Sequence, residues 1–572
     1  MSIEREPDQH AAYDAFVPTS AETLLATATS ALSEARWDEA RAAFRAALDV
    51  EASGAATFGL SEALWWLGDL GESVALRERA FGQLRDEGDV VQAALAALYT
   101  SLDYRKQFGD AAAAGGWLAQ ATRLVDEHDL EALRGWLLFA SSFNSDDAVV
   151  AEELARRAQQ SASDAGDRDL ELCALAQVGA SLVAQGRVAE GVRCLDESMA
   201  VALALDGTPD TVVFTSCMMM TSCANCAEFA RVVQWVRRTI AFTERFGAPF
   251  LYAECRIHYG GVLAATGDWP SAERELLVGL EMTQLAVPSL HRLAVANLAE
   301  LWLAQGRVDE TERLIQSHDE STEIAAVLAR LHLWHGRPAV AMSVLRRRID
   351  ASAGDRLERS RLEELLGEAE VAIGDVEAAG QRSATLVADG DERTCDLMIA
   401  RGHRLAGRVA IAAGHVDVAR RSLDAALVTF VRLEMVVEAI RTRLLLAGAL
   451  EIAEPEVAAA EARAALARAE RLGATPMADE AAALLRRLGV AVSRGAPGDG
   501  TALSRRETQV LELLGQGLSN PEIAARLHLS RKTVEHHVAH VLSKLGARNR
   551  AEAAAEAVRR GTVVKQAGQT RA

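Results

Sequence analysis

Gly267-Asp268-Trp269-Pro270-Ser271-Ala272, Gly306-Arg307-Val308-Asp309-Glu310-Thr311, Gly374-Asp375-Val376-Glu377-Ala378-Ala379 and Gly414-His415-Val416-Asp417-Val418-Ala419 are four copies of one phrase. In each, an apolar stretch ends at glycine, a polar residue follows, and a new stretch opens on acidic residues and alanine. Glycine supplies the left-handed conformation that closes a helix, and acidic side chains suit the positive N-terminal end of the next. Gly68-Asp69-Leu70-Gly71-Glu72-Ser73 and Gly186-Arg187-Val188-Ala189-Glu190-Gly191 repeat the phrase earlier, and weaker copies start near Ala35, Gly109, Phe143, Asn225, Gly336 and Glu454. The twelve starts are about 38 residues apart on average, a period that signals a helical solenoid. One hairpin cannot bury its apolar face alone, so neighbours must stack and present a concave surface. The spacing predicts an all-α chain in which a tail, 1–20, precedes an α-solenoid of helical hairpins over 21–490.

Composition agrees. Of 572 residues, 50% are hydrophobic, 5% are aromatic and only 11 are proline, which excludes disorder for the bulk and permits a large core. Alanine runs such as Ala111–Ala114 favour helix, because alanine loses no side-chain entropy there. The phrase resembles the tetratricopeptide-type helical repeats, with a longer and less regular period than the standard 34 residues. That resemblance implies a region for sensing or interaction, with a small molecule or a protein as effector.

Several chemistries are missing from the sequence. A phosphate-cradling P-loop needs a Gly-Lys pair, and none occurs; Lys106, the only lysine before 532, sits in Tyr-Arg-Lys-Gln. No Ser/His/Asp or paired-carboxylate constellation stands out, so neither an enzyme nor a cofactor is expected. No run of 18 apolar residues exists, and the first residues are acidic where a secretory signal would be basic and then apolar. A cytoplasmic location without membrane contact is the expectation, and an odd seven cysteines argue against a secreted disulfide framework.

Two constellations in the body invite chemistry. Cys217, Cys223, Cys226, Cys255 and His258 place five soft or borderline ligands within 42 residues, a set that can hold zinc or an iron–sulfur cluster. The same cysteines serve equally as small apolar core residues, and packing is the weightier reading; a metal- or redox-sensing regulator is the alternative. Nine tryptophans, at 37, 65, 66, 117, 136, 235, 269, 302 and 334, are expected to wedge between stacked helices, and some could line a ligand pocket on the concave face.

The C-terminal segment differs in charge. The chain carries −20 in total, yet residues 501–572 carry +6, which leaves −26 for the rest. An acidic body joined to a basic tail points the tail at a polyanion. Residues 491–500, rich in glycine and holding Pro497, read as a linker. Ser504 with Glu507, and Ser519 with Glu522, are capping boxes that open two helices with inward Val510, Leu511, Leu514, Ile523 and Leu527. After the turn His528-Leu529-Ser530 comes a third helix to about Leu545, whose Val534, Val538, Val541 and Leu545 share one side at ~100° per residue. Two short helices joined by a tight turn form a helix-turn-helix pattern. Residues Ala551 to Arg560 make a fourth helix.

The motifs Leu503-Ser-Arg-Arg-Glu507, Gly517-Leu-Ser-Asn-Pro-Glu-Ile-Ala524, Thr533-Val-Glu-His-His537 and Lys544-Leu-Gly546 resemble the C-terminal DNA-binding domain of the LuxR family of bacterial transcription regulators. The resemblance implies a four-helix domain over 501–562, followed by a tail at 563–572, that binds a double-stranded DNA operator as a homodimer. It implies base reading by Glu535, His536 and Ala539, and phosphate or positioning contacts from Thr533, Lys544 and Arg550, with Arg531 and Lys532 beside them. Ala539 stands where some members carry lysine, which leaves the operator sequence open. It implies further that the protein works at the nucleoid beside RNA polymerase. Larger regulators of this layout carry a nucleotide-binding domain, which the missing P-loop excludes here. A scaffold whose tail only docks is the rival from another class.

Overall fold

The computed structural model describes residues 20–204, 208–284, 287–318, 323–351, 354–491, 505–527 and 550–559, with 534, 535, 537, 538, 541, 542, 545 and 547. Among them all regular structure is helical. Twelve antiparallel pairs follow one another, from Ala21–Ser33 with Trp37–Val50 to Val436–Leu450 with Pro455–Leu472, and Thr475–Arg487 closes the series. Ten of the twelve starts read from the sequence fall between the two helices of a pair, and the other two, Phe143 and Asn225, fall in the last two residues of a pair's first helix. This is the architecture of a tetratricopeptide-like α-solenoid.

The turns show why. Gly68, Gly186, Gly267, Gly306, Gly374 and Gly414 all adopt positive φ, the conformation a helix-closing glycine supplies without strain. Where aspartate follows, as at Asp69, Asp268 and Asp375, its side chain accepts from the backbone N–H three residues on and caps the new helix. The same Gly-Asp pair also closes and opens helices between hairpins, at Gly88-Asp89 and Gly166-Asp167. Asp129, Ala227, Thr394 and Glu434 adopt the left-handed conformation without being glycine.

The chain divides into two compact units, Met1–Leu303 with Val308–Val437, and Ala304–Arg307 with Glu438–Ala572. In the first, alanine and glycine let helix backbones approach closely. Ala93, Ala94, Ala96 and Ala97 are all buried in one helix, and a Cβ added to Gly191 would lie 2.5 Å from the Gly179 carbonyl oxygen. The same unit also brings distant hairpins together. The Trp37 indole donates to the Phe246 carbonyl at 2.5 Å, Ala248 N–H to the Trp66 carbonyl at 3.1 Å, and Ser289 Oγ to the Lys106 carbonyl at 2.6 Å. Residues Tyr104–Phe108 at that junction form a short π-helix.

In the second unit the last repeat helices precede a small domain with its own core. Val510, Leu511, Leu513, Leu514, Ile523, Ala524, Val534, Val538, Val541, Ala553 and Ala557 are buried together. No helix among the described residues is long and apolar enough to cross a membrane.

Candidate functional site

The small domain is built from Arg505–Gly515, Asn520–Leu527, the described helical residues from 534 to 545, and Arg550–Arg559. Its local construction follows the sequence. Ser519 donates from both its backbone N–H, at 2.7 Å, and its hydroxyl, at 2.6 Å, to the Glu522 carboxylate, which is the half of a capping box in which the glutamate reaches back to the residue before the helix. Those hydrogen bonds, hydroxyl first, hold the Glu522 carboxyl below its ordinary range. Ser504 of the first capping box lies outside the described residues, while Glu507 is buried.

The apolar side read for the third helix is the buried one: Val534, Val538 and Val541 enter the core and Leu545 packs against it. Glu535 faces away and is exposed, and His537 is half-buried. Burying one stripe of a short helix presents the opposite stripe to the surroundings, the arrangement that a helix needs to enter a major groove. Of the residues assigned to DNA, Arg531, Lys532, Thr533, His536, Ala539 and Lys544 lie outside the described residues, as does the turn His528–Ser530. Arg550 is described: its guanidinium donates to Asn520 Oδ1 at 2.9 Å and to the Leu518 carbonyl, tying the start of the last helix to the segment that opens the helix-turn-helix. The sequence gives no sign of this tie, since the partners lie 30 and 32 residues away.

The cysteines of the constellation lie in the interior. Cys217, Cys223, Cys226 and Cys255 are buried and unbridged, and no group of three or more His, Cys, Asp or Glu among the described residues is arranged to hold a metal ion. Burial raises the Cys217 and Cys255 thiols, and a hydrogen bond with Cys226 together with burial raises Cys223. Cys217 instead donates to Glu254 Oε2 at 3.0 Å, in a cluster where Lys106 Nζ meets Glu254 Oε1 at 2.8 Å and His258 lies 3.7 Å from the same oxygen. Burial alone would raise the Glu254 carboxyl, but Lys106, His258 and Cys217 hold it well below the carboxylate range.

A compact helical core that buries Val534, Val538 and Val541 and leaves Glu535 exposed, in the basic segment of an otherwise acidic chain, is the arrangement that a DNA-binding helix needs. Residues 501–557 match the family described as bacterial regulatory proteins, luxR family. Over 59 residues the chain is 42% identical to the spore germination protein GerE of Bacillus subtilis (strain 168), a match covering 10% of this chain and 80% of GerE. The chain therefore belongs to the luxR family of bacterial regulatory proteins. It is also 47% identical over 62 residues to the transcriptional regulatory protein LnrK of the same organism, which covers 11% of this chain and only 28% of LnrK. The crystal structure of the APC/C hetero-tetramer Cut9-Hcn1 aligns with 81% of this chain and 96% of its own at 13% identity and a TM-score of 0.41.

Proposed function

We propose that the protein is a one-component transcription regulator whose helical-repeat region senses an effector and whose C-terminal domain binds a specific operator. The observation that carries the reading is the burial of Val534, Val538 and Val541 with Glu535 exposed, within a segment belonging to a family of DNA-binding regulators. On that helix, Glu535, His536 and Ala539 are assigned to base edges. Thr533, Lys544, Arg531 and Lys532 are assigned to phosphates, with Arg550 positioning the domain through Asn520 and Leu518. Glutamate accepts from cytosine N4, histidine donates to guanine or accepts from adenine according to tautomer, and alanine touches the thymine methyl. Family resemblance supports a homodimer on a two-fold operator, recruitment of RNA polymerase, and a cytoplasmic protein without catalytic activity.

Selection of bound duplexes from a random pool by the full-length protein tests this. An enriched, two-fold-related motif is expected, located upstream of genes when mapped across a bacterial genome. Recovery of a pool indistinguishable from the input overturns the reading in favour of a scaffold with a docking tail.

A further inference from the structure

The return of distant hairpins onto one another within the first unit encloses a cavity of about 280 Å³, at the small end of the range for ligand pockets. Its walls come from hairpins between Glu62 and Met218. One side is aromatic. Phe139, Phe143 and Phe214 pack on each other with ring centroids 4.8 to 6.4 Å apart, and Trp136 meets Phe139 edge-on at 5.8 Å. Trp65 and Tyr99 complete that surface. The indole N–H groups are already engaged: Trp65 donates to Asp103 at 3.1 Å and Trp136 to Asp167 at 2.9 Å.

The other side is acidic. Glu62, Asp103, Asp169 and Asp210 line the cavity against two cations, Arg77 and Lys106. Both cations are already neutralised. The Arg77 guanidinium, 2% exposed, is held by Glu62 at 2.8 Å and Asp103 at 2.5 Å, and Lys106 by Glu254, itself outside the lining. Asp169 accepts from the Thr211 hydroxyl at 2.8 Å. Asp210 opens the Pro209–Asn225 helix, lines the cavity and is exposed, and no described side chain forms an ion pair or hydrogen bond with it. Gln107, 4% exposed, also lines the space, and its side-chain oxygen has no hydrogen-bond partner. The acceptors thus outnumber the donors around one small volume. Consistent with an uncompensated negative field, burial and then the neighbouring Glu62 raise the Asp210 carboxyl to about 7, and burial raises Glu62 as well.

We propose that this cavity binds a small organic cation, an amine or quaternary ammonium on a flat apolar body, with the charge at Asp210 and the body among Trp65, Trp136 and the three phenylalanines. An anion would meet two carboxylates outside any ion pair, Asp169 and Asp210, with both cations occupied. A neutral aromatic would fill the apolar side but gain nothing from the Asp210 carboxylate, and without a donor group it would leave the buried Gln107 oxygen unpaired, which penalises the wrong ligand. The electron-rich faces of tryptophan, tyrosine and phenylalanine add cation–π attraction, the recurrent means by which proteins hold ammonium groups. A ligand there would also touch the wall formed by Lys106 and Gln107, in the π-helix that joins hairpins far apart in sequence. This inference rests on the repeat region being the sensory part of a regulator.

Calorimetric titration of the full-length protein with benzyltrimethylammonium, benzyl alcohol and benzoate decides it. The cation is expected to bind saturably at one site, the other two at least tenfold more weakly, and Asp210→Asn to weaken the cation about tenfold. Benzoate or benzyl alcohol binding as tightly as the cation, or no binding of the cation, overturns the proposal even if the variant fails to fold. The same preparation is assayed for retention of its selected duplex. Loss of cation binding with duplex preference intact removes the cavity inference alone, whereas cation binding without duplex preference removes the regulator reading and leaves the cation site.

Discussion

Lys106 is the one lysine of the acidic body, and its position is explained by Glu254, 148 residues away. Breaking a buried pair by removing one partner costs about 3–5 kcal/mol, because it strands the other charge, while replacing both by apolar groups costs far less. Glu254→Gln and Lys106→Met are each expected to destabilise the fold by roughly that amount. The double variant Lys106→Met/Glu254→Gln is expected to lose less stability than the two single variants combined, as read by urea unfolding, and additive effects would contradict the pairing. Asp210 behaves oppositely. Its carboxyl is raised from 3.8 to about 7, so between those values the folded chain holds a proton that the unfolded chain has released, and its contribution to stability declines as pH rises through that window. Asp210→Asn should therefore raise the thermal midpoint of the full-length protein by about 1–2 °C at pH 8 and leave it unchanged near pH 4. An equal shift at both pH values would contradict a raised carboxyl at this position.

At the level of elements, the hairpins were legible because their punctuation is local. Glycine at a helix end and aspartate at the next start each act within three or four residues, so the breaks that carry them could be read along the chain, although Gly88-Asp89 and Gly166-Asp167 use the same pair between hairpins. The short helices of the DNA-binding domain were legible for the same reason: Glu522 reaches back to Ser519, and Val534, Val538 and Val541 keep one side. Close helix packing was not. Gly179 and Gly191 look like ordinary small residues, yet their backbones touch across a hairpin. Gly191→Ala is expected to cost about 1–3 kcal/mol through forced backbone displacement. Gly82, inside Leu70–Glu87 with nothing within 4 Å of its added Cβ, should gain about 0.5–1 kcal/mol on becoming alanine. Chemical denaturation of the two variants side by side checks the contrast, and the same sign for both would contradict the packing.

Across the whole molecule, the charge sum and the concave surface each concealed the informative part. The total of −20 hides a +6 segment at the DNA-binding end. Likewise the cavity draws on Glu62, Trp136 and Asp210 from separate hairpins, and no pattern along the chain marks residues that become neighbours only when distant hairpins meet. The tryptophans show this mixture. Trp66, Trp235 and Trp269 are core residues as expected, Trp65 and Trp136 line the cavity, and Trp334 is 52% exposed. The regulator reading depends most directly on how the full-length protein binds its selected duplex and a scrambled duplex as salt is varied. A protein that neutralises several phosphates and reads base edges should lose affinity steeply on a log–log plot, with a slope of about −0.9 per phosphate contacted, while preferring the selected duplex by at least ~1,000-fold at physiological salt. Equal affinity for the two duplexes across the whole salt range would contradict it.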